Sequence, residues 1–177
     1  MFYIVKGVDS MQKNPYNSKT IKERLEVSVE AYGDMLFRIA LNMLGNVHDS
    51  EDAVQETYLR YMKYEPEFTD GEHEKRWLLR VLVNVCKNLQ KRNARRAVTS
   101  IDELANLLEY RDEEKLGVIE SIMQLPEKYR TVMDLCYVEG ISAEVVASVL
   151  SISYPAVRKR LEKGRKLLKI ALESSEN

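Results

Sequence analysis

Seven bases stand against one acid in YPAVRKRLEKGRKLLK, residues 154–169: Arg158, Lys159, Arg160, Lys163, Arg165, Lys166 and Lys169 against Glu162. The chemistry open to such a segment is polyanion binding, because each cation that neutralises a phosphate releases condensed counterions. A merely solvated helix face would mix its signs. On a helical wheel Val157, Leu161, Gly164 and Leu168 share a narrow arc, and Arg158, Lys159, Arg165, Lys166 and Lys169 fill the arc beside it. The bases therefore form a stripe next to a packing face. Tyr154, Ala156 and Arg158 lie at the helix start, placed to reach base edges, whereas Arg160 and Lys163 suit backbone phosphates.

A second basic row lies on a helix predicted over about 75–96. Arg80, Asn84, Lys87, Lys91 and Arg95 line one side, opposite Leu78, Val81, Leu82, Val85 and Leu89. A cationic row around one amide suits a single strand, with charge for the backbone and a donor–acceptor pair for a base. A third set is acidic. In NVHDSEDAVQETYLRYMKY a stripe of Ala53, Val54, Thr57, Tyr58, Tyr61 and Met62 is predicted to be buried, leaving Glu51, Asp52, Gln55, Glu56 and Arg60 outward.

Enzyme chemistry finds little support. His48, Asp49, Glu51 and Asp52 crowd a predicted helix start, where capping and the helix dipole explain acids without a metal. His73 stands alone. There is no Gly-rich phosphate cradle, nucleophile motif or paired cysteine; Cys86 and Cys136 lie far apart in apolar surroundings. No metal, cofactor, catalytic residue or small-molecule substrate is expected.

The elements that must carry these rows are helical. The 177 residues hold only 7 Gly and 4 Pro, few breakers for a many-turned β fold. The net charge of −1 hides a segmented pattern: −4 over 1–70, +6 over 71–100, −5 over 101–125, −2 over 126–157 and +4 over 158–177. Local fields of this kind govern polyanion binding more than the total does. Residues 1–19 read as a flexible lead-in, with Met11 a second candidate start. VSVEAYGDMLFRIALNMLG is a helix ending at Gly45, and Asp49 or Ser50 caps the next. EPEFTDGEHE (65–74) is a loop, and 97–120 is an acidic connector. PEKYRTVMDLCYVEG is a helix stopped at Gly140; Ser142 and Ser153 cap two more, separated by the tight turn SIS. Helix, short turn, helix is the arrangement that seats its second helix in the major groove. Leu167 and Ile170 project away from the packing arc of that last helix.

Taken together the motifs resemble those of bacterial sigma factors. DSEDAVQETYLRYMKY is similar to their D-x-E-D-x-x-Q-E-x-F block, and RWLLRVLVNVCKNLQKR to the following R-x-W-L-x-x-I-x-x-N block. LPEKYRTVMDLCYVEGISAEVVASVLSISYPAVRKRLEKGRKLL resembles their C-terminal helix-turn-helix. In order and spacing over 28–170 they resemble the extracytoplasmic-function (ECF) branch of the sigma-70 family. The resemblance implies an all-α chain of two small helical domains joined by an acidic linker: lead-in 1–19, a region 2-like domain 20–96, linker 97–120 and a region 4-like domain 121–177.

It also implies roles. Asp52, Gln55, Glu56 and Arg60 match the surface that docks on the β′ clamp helices of core RNA polymerase, whose β subunit is a further partner. Arg80, Asn84, Lys87, Lys91, Arg92 and Arg95 would hold the melted −10 promoter element, with a flipped base captured near the 65–74 loop. Tyr154, Ala156, Arg158, Lys159, Arg160 and Lys163 would read the −35 duplex, and the acidic linker would run toward the RNA exit channel. The expected setting is cytoplasmic; many relatives are held inactive by an anti-sigma factor, so that partner is allowed for. Two positions depart from the family pattern. Ser151 stands where Gly is usual in the turn, and Ala156 replaces a common Thr. The competing reading is a stand-alone helix-turn-helix regulator of duplex DNA, which leaves the acidic 49–60 face and the 80–95 row without a purpose.

Overall fold

The computed structural model of the protein describes residues 20–93 and 121–175; the lead-in, the linker and Arg95 lie outside them. Among the described residues every regular element is helical, as the all-α class requires. Helix α1 (Ile21–Leu44) opens with a reciprocal cap. The Thr20 hydroxyl accepts the Glu23 N–H, and the Glu23 carboxylate accepts the Thr20 N–H at 2.8 Å. It ends where Gly45 turns left-handed at φ 79°, its N–H reaching the Leu41 carbonyl.

Asn46 then caps α2 (Val47–Tyr64), its side-chain oxygen accepting the Asp49 N–H at 2.7 Å. Asp49 and Ser50, the expected caps, lie inside the first turns, because the left-handed Gly45 delivers the extended Asn46 backbone that a cap needs. Ala53, Thr57, Tyr58 and Tyr61 are buried as expected, but Met62 is 48% exposed and Leu59, unremarked in the sequence, is 60% exposed. Helix α3 (Gly71–Asn93) begins four residues before the expected Lys75. The Asp70-Gly71 pair is a helix start rather than the end of a loop: Asp70 Oδ1 accepts the His73 N–H at 2.7 Å.

The three helices close on Leu36, Ile39, Tyr61, Leu78 and Leu82, all essentially inaccessible. Burial on α3 is wider than the predicted stripe, since Leu79, Val83 and Cys86 are also fully buried. The C-terminal half supplies α4 (Glu127–Met133), a π-helical continuation over Asp134–Val138, α5 (Ala143–Leu150) and α6 (Tyr154–Ser175). Gly140 reverses the chain at φ 66°. The Ser142 and Ser153 hydroxyls cap α5 and α6 through the Val145 and Ala156 N–H groups, as their sequence positions predict. Helix α4 crosses α6 so closely that a Cβ on Gly164 would sit 2.9 Å from the Met133 side chain. Leu167 does not project freely; it packs with Leu168 on Ile122, Leu125 and Met133.

Residues of both halves belong to one apolar core. Leu79, Val83 and Cys86 of α3 are continuous with Ile141, Val146, Val149 and Leu150 around α5. No described helix is long and apolar enough to cross a membrane.

Candidate nucleic-acid interface

The outward residues of α2 and the far side of α3 enclose a cleft of about 470 Å³. Asp52, Gln55, Glu56, Leu59 and Arg60 form one wall; Val85, Asn88, Leu89 and Arg92 form the other. Glu56 and Arg60, one turn apart, pair at 2.7 Å. The four residues singled out in the sequence are thus brought together. Leu59 adds an exposed apolar centre to them. Its signal was available as the one apolar residue within an outward polar set. This is the anatomy of a protein-docking patch, an apolar core with a polar rim.

The basic row runs along a different side of α3. Arg80, Asn84 and Lys91 are exposed and Lys87 is half-buried. Arg92 does not join them, since it lines the cleft with Glu56. Two members of the row are engaged by α5: Arg80 hydrogen-bonds the Ser148 hydroxyl, and Lys87 Nζ donates to the Leu150 carbonyl at 3.0 Å. Burial, followed by the charges of Arg160 and Lys91, lowers the Lys87 pKa.

The loop before α3 is built on an aromatic nest absent from the sequence reading. Phe68 is buried, with the Tyr61 and Trp77 rings centred 5.7 and 6.0 Å away and the His73 ring edge-on at 5.4 Å. Trp77 is thereby an anchor of the helix start. Arg24 holds the loop backbone through the Pro66 carbonyl at 2.9 Å, and the Tyr32 hydroxyl donates to the Gly71 carbonyl. Beneath them Glu74, 2% exposed, accepts the Tyr61 hydroxyl proton at 2.6 Å, and burial pushes its carboxyl up to about 7.

In the C-terminal half, α5, the turn at Ser151–Ser153 and α6 form the helix-turn-helix. Tyr154, Arg158, Lys159 and Lys163 are exposed at the start of α6, while Ala156 and Arg160 are half-buried. Val157 and Gly164 form its buried seam. Ser151 holds a left-handed conformation at φ 57°, the geometry that a turn glycine serves. Among the described residues no cluster of His, Cys, Asp or Glu could hold a metal ion.

Two family models match the chain: sigma-70 region 2 over residues 28–96 and sigma-70 region 4 over residues 116–168. An ECF RNA polymerase sigma factor of Mycolicibacterium smegmatis, SigE, is 29% identical over 84% of this chain and 62% of its own length. SigW of Bacillus subtilis, of the same description, is 27% identical over 80% of this chain and 84% of its own. The chain belongs to the ECF branch of the sigma-70 family. This sigma factor is a transcription initiation factor that directs RNA polymerase. The region 2 match sets it apart from a stand-alone helix-turn-helix regulator. Its fold is also that of CnrH, solved in complex with the cytosolic domain of CnrY (TM-score 0.66, 21% identity, 90% of this chain and 93% of that one). The sigma factor RpoE of Bartonella quintana, solved with the anti-sigma factor NepR, is likewise similar (TM-score 0.63, 19% identity, 86% and 96%).

Proposed function

We propose that this sigma factor divides its work among three helix faces. The α2 face of Asp52, Gln55, Glu56 and Arg60, with Leu59 at its centre, docks on the β′ clamp helices of core polymerase. Arg92, on the opposite wall of that cleft, works with the docking face rather than with the strand. Arg80, Asn84, Lys87 and Lys91, extended by Arg95, hold the single strand of the −10 element, beside the nest at 65–77 that takes the flipped base. Tyr154, Ala156, Arg158 and Lys159 read the −35 duplex, with Arg160 and Lys163 on its phosphates. In domain terms 20–96 serves polymerase and the −10 element, 97–120 links, and 121–177 serves the −35 element. The protein performs no bond chemistry of its own and works in the cytoplasm.

The observation that carries this reading is the segregation of charge on adjoining helices. The acid-rich cleft with its apolar centre lies on one side of the α2–α3 pair, and the basic row lies on another. A duplex-only regulator needs neither. The deciding measurement is the affinity of the purified chain for bacterial core RNA polymerase without DNA. Saturable binding, competed by another sigma factor, is expected. Absence of binding beside salt-dependent binding to duplex DNA would overturn the reading.

A further inference from the structure

Glu162 is the one acid in the basic stripe of α6, and phosphate binding does not explain it. A carboxylate among cations that neutralise phosphates repels the same phosphates and weakens binding. Nor does it stand aside from the bases that face DNA. Glu162 is exposed on the same side of the helix as Arg158, one turn before it, and Lys159, three residues before it. It lies about 12 Å along the helix axis from Tyr154, a span comparable with the width of a major groove.

The direction of its side chain is set from both sides of the helix. On the inner side Val157 and Gly164 are buried, and a Cβ at Gly164 would sit 2.9 Å from Met133, which leaves α6 little freedom to roll on α4. Arg165 donates to the Tyr137 hydroxyl at 2.8 Å and so ties the next turn of α6 to the π-helical step. On the outer side Lys166 Nζ donates to Glu162 Oε1 at 2.7 Å. Two of the seven bases are thus engaged within the chain, one holding the helix and one holding its acid. The Lys166 hydrogen bond and charge, with Arg165 and Lys159 beyond them, hold the Glu162 carboxyl below its ordinary value. The group is therefore an anion. An anionic carboxylate only accepts, and with about four acceptor sites it can take further donors beside one ammonium.

We propose that Glu162 sets one base of the −35 site by accepting the N4 amino group of a cytosine. This rests on the reading of α6 as the helix that enters the −35 major groove. Base edges there differ in what they offer an acceptor. Guanine shows two acceptors, N7 and O6, and thymine shows an acceptor and a methyl group, so neither satisfies a carboxylate. Adenine sets its donor beside the N7 acceptor. Cytosine presents a donor with no acceptor of its own beside it. A carboxylate in the groove thus discriminates by disfavouring the other three bases as much as by bonding the right one.

The test uses the full chain bound to core RNA polymerase. A randomised duplex library is passed over it, and the retained duplexes are sequenced for the wild type, E162Q and E162A. The side chain is 59% exposed, so neither change disturbs the core. One position that prefers cytosine in the wild type should answer to both variants while the others hold. E162A should lower discrimination at that position by about tenfold, and E162Q should move its preference to adenine, whose N6 and N7 suit a carboxamide. Profiles identical for all three proteins, even with tighter overall binding by E162A, would overturn the proposal and leave Glu162 as a brake on the stripe's charge. A response at a position preferring any base but cytosine would overturn the cytosine assignment. A wild type that binds polymerase but selects no sequence would remove the −35 reading of α6 and the proposal with it. A chain that does not bind polymerase would remove the three-face reading itself.

Discussion

Glu74 is the residue whose state the fold alters most visibly. It sits under the loop at 65–70, accepts one hydrogen bond from Tyr61, and is walled by the aromatic nest. Burial raises its carboxyl from 4.5 to about 7. The folded state then holds this proton more tightly than the unfolded state, so the sign of the linkage is fixed. Stability from this group is fully present below pH 4.5 and is lost as pH rises through about 7. Glu74→Gln keeps an acceptor for Tyr61 and removes the charge. Its urea midpoint should match the wild type near pH 4.5 and exceed it at pH 8; a constant difference across that range would mean that Glu74 does not titrate on folding. Nothing in EPEFTDGEHE marked one of its acids as buried. The segment reads as a polar loop, and only the aromatic rings brought in from α2 and α3 desolvate the carboxylate.

At the scale of elements, the turn between α5 and α6 carries a local conflict. Ser151 occupies the left-handed region at φ 57°, where a Cβ crowds the following carbonyl. Ser151→Gly relieves that strain and adds some freedom to the unfolded chain, for a net gain of about 0.5–1 kcal/mol. A thermal melt of the variant checks this, and a lower midpoint would show that the Ser side chain contributes more than its strain costs. This position was legible, because the turn pattern calls for glycine there. The serine caps of α5 and α6 and the glycine stops at Gly45 and Gly140 were legible for the same reason: each rests on a residue and its immediate neighbours. The start of α2 was not, since Asn46, Asp49 and Ser50 all carry capping groups and only the preceding left-handed turn chooses among them. The start of α3 was misread because Asp-Gly serves both a turn and a cap. The π-helical step over Asp134–Val138 has no sequence signal that we can name, and Leu167 was misplaced because Ile122 and Leu125, which cover it, adjoin a segment that reads as a linker. Opposite charge changes on two helices separate their roles. Reversal at Lys87 and Lys91 should impair promoter opening far more than polymerase binding, as read by permanganate reactivity and by a binding titration. Lys at Asp52 and Glu56 should weaken polymerase binding and spare duplex affinity.

For the whole molecule, the charge islands were legible because net charge simply adds along the chain. The contact between the halves was not, because Arg38 and Glu139, which pair across it, are 101 residues apart and neither carries a motif. In the C-terminal stripe two bases, Arg160 and Lys163, are proposed to sit on duplex phosphates, and each phosphate neutralised contributes about −0.9 to the slope of log affinity against log salt. The two together would contribute roughly −1.8. Arg160 is half-buried and near enough to Lys87 for the two like charges to act on one another, whereas Lys163 is exposed. Lys163→Ala should therefore lower the slope by about 0.9, and Arg160→Ala by less. Duplex affinity measured between about 50 and 200 mM salt checks this. Equal losses for the two variants would mean that Arg160 reaches phosphate as freely as Lys163 despite its partial burial.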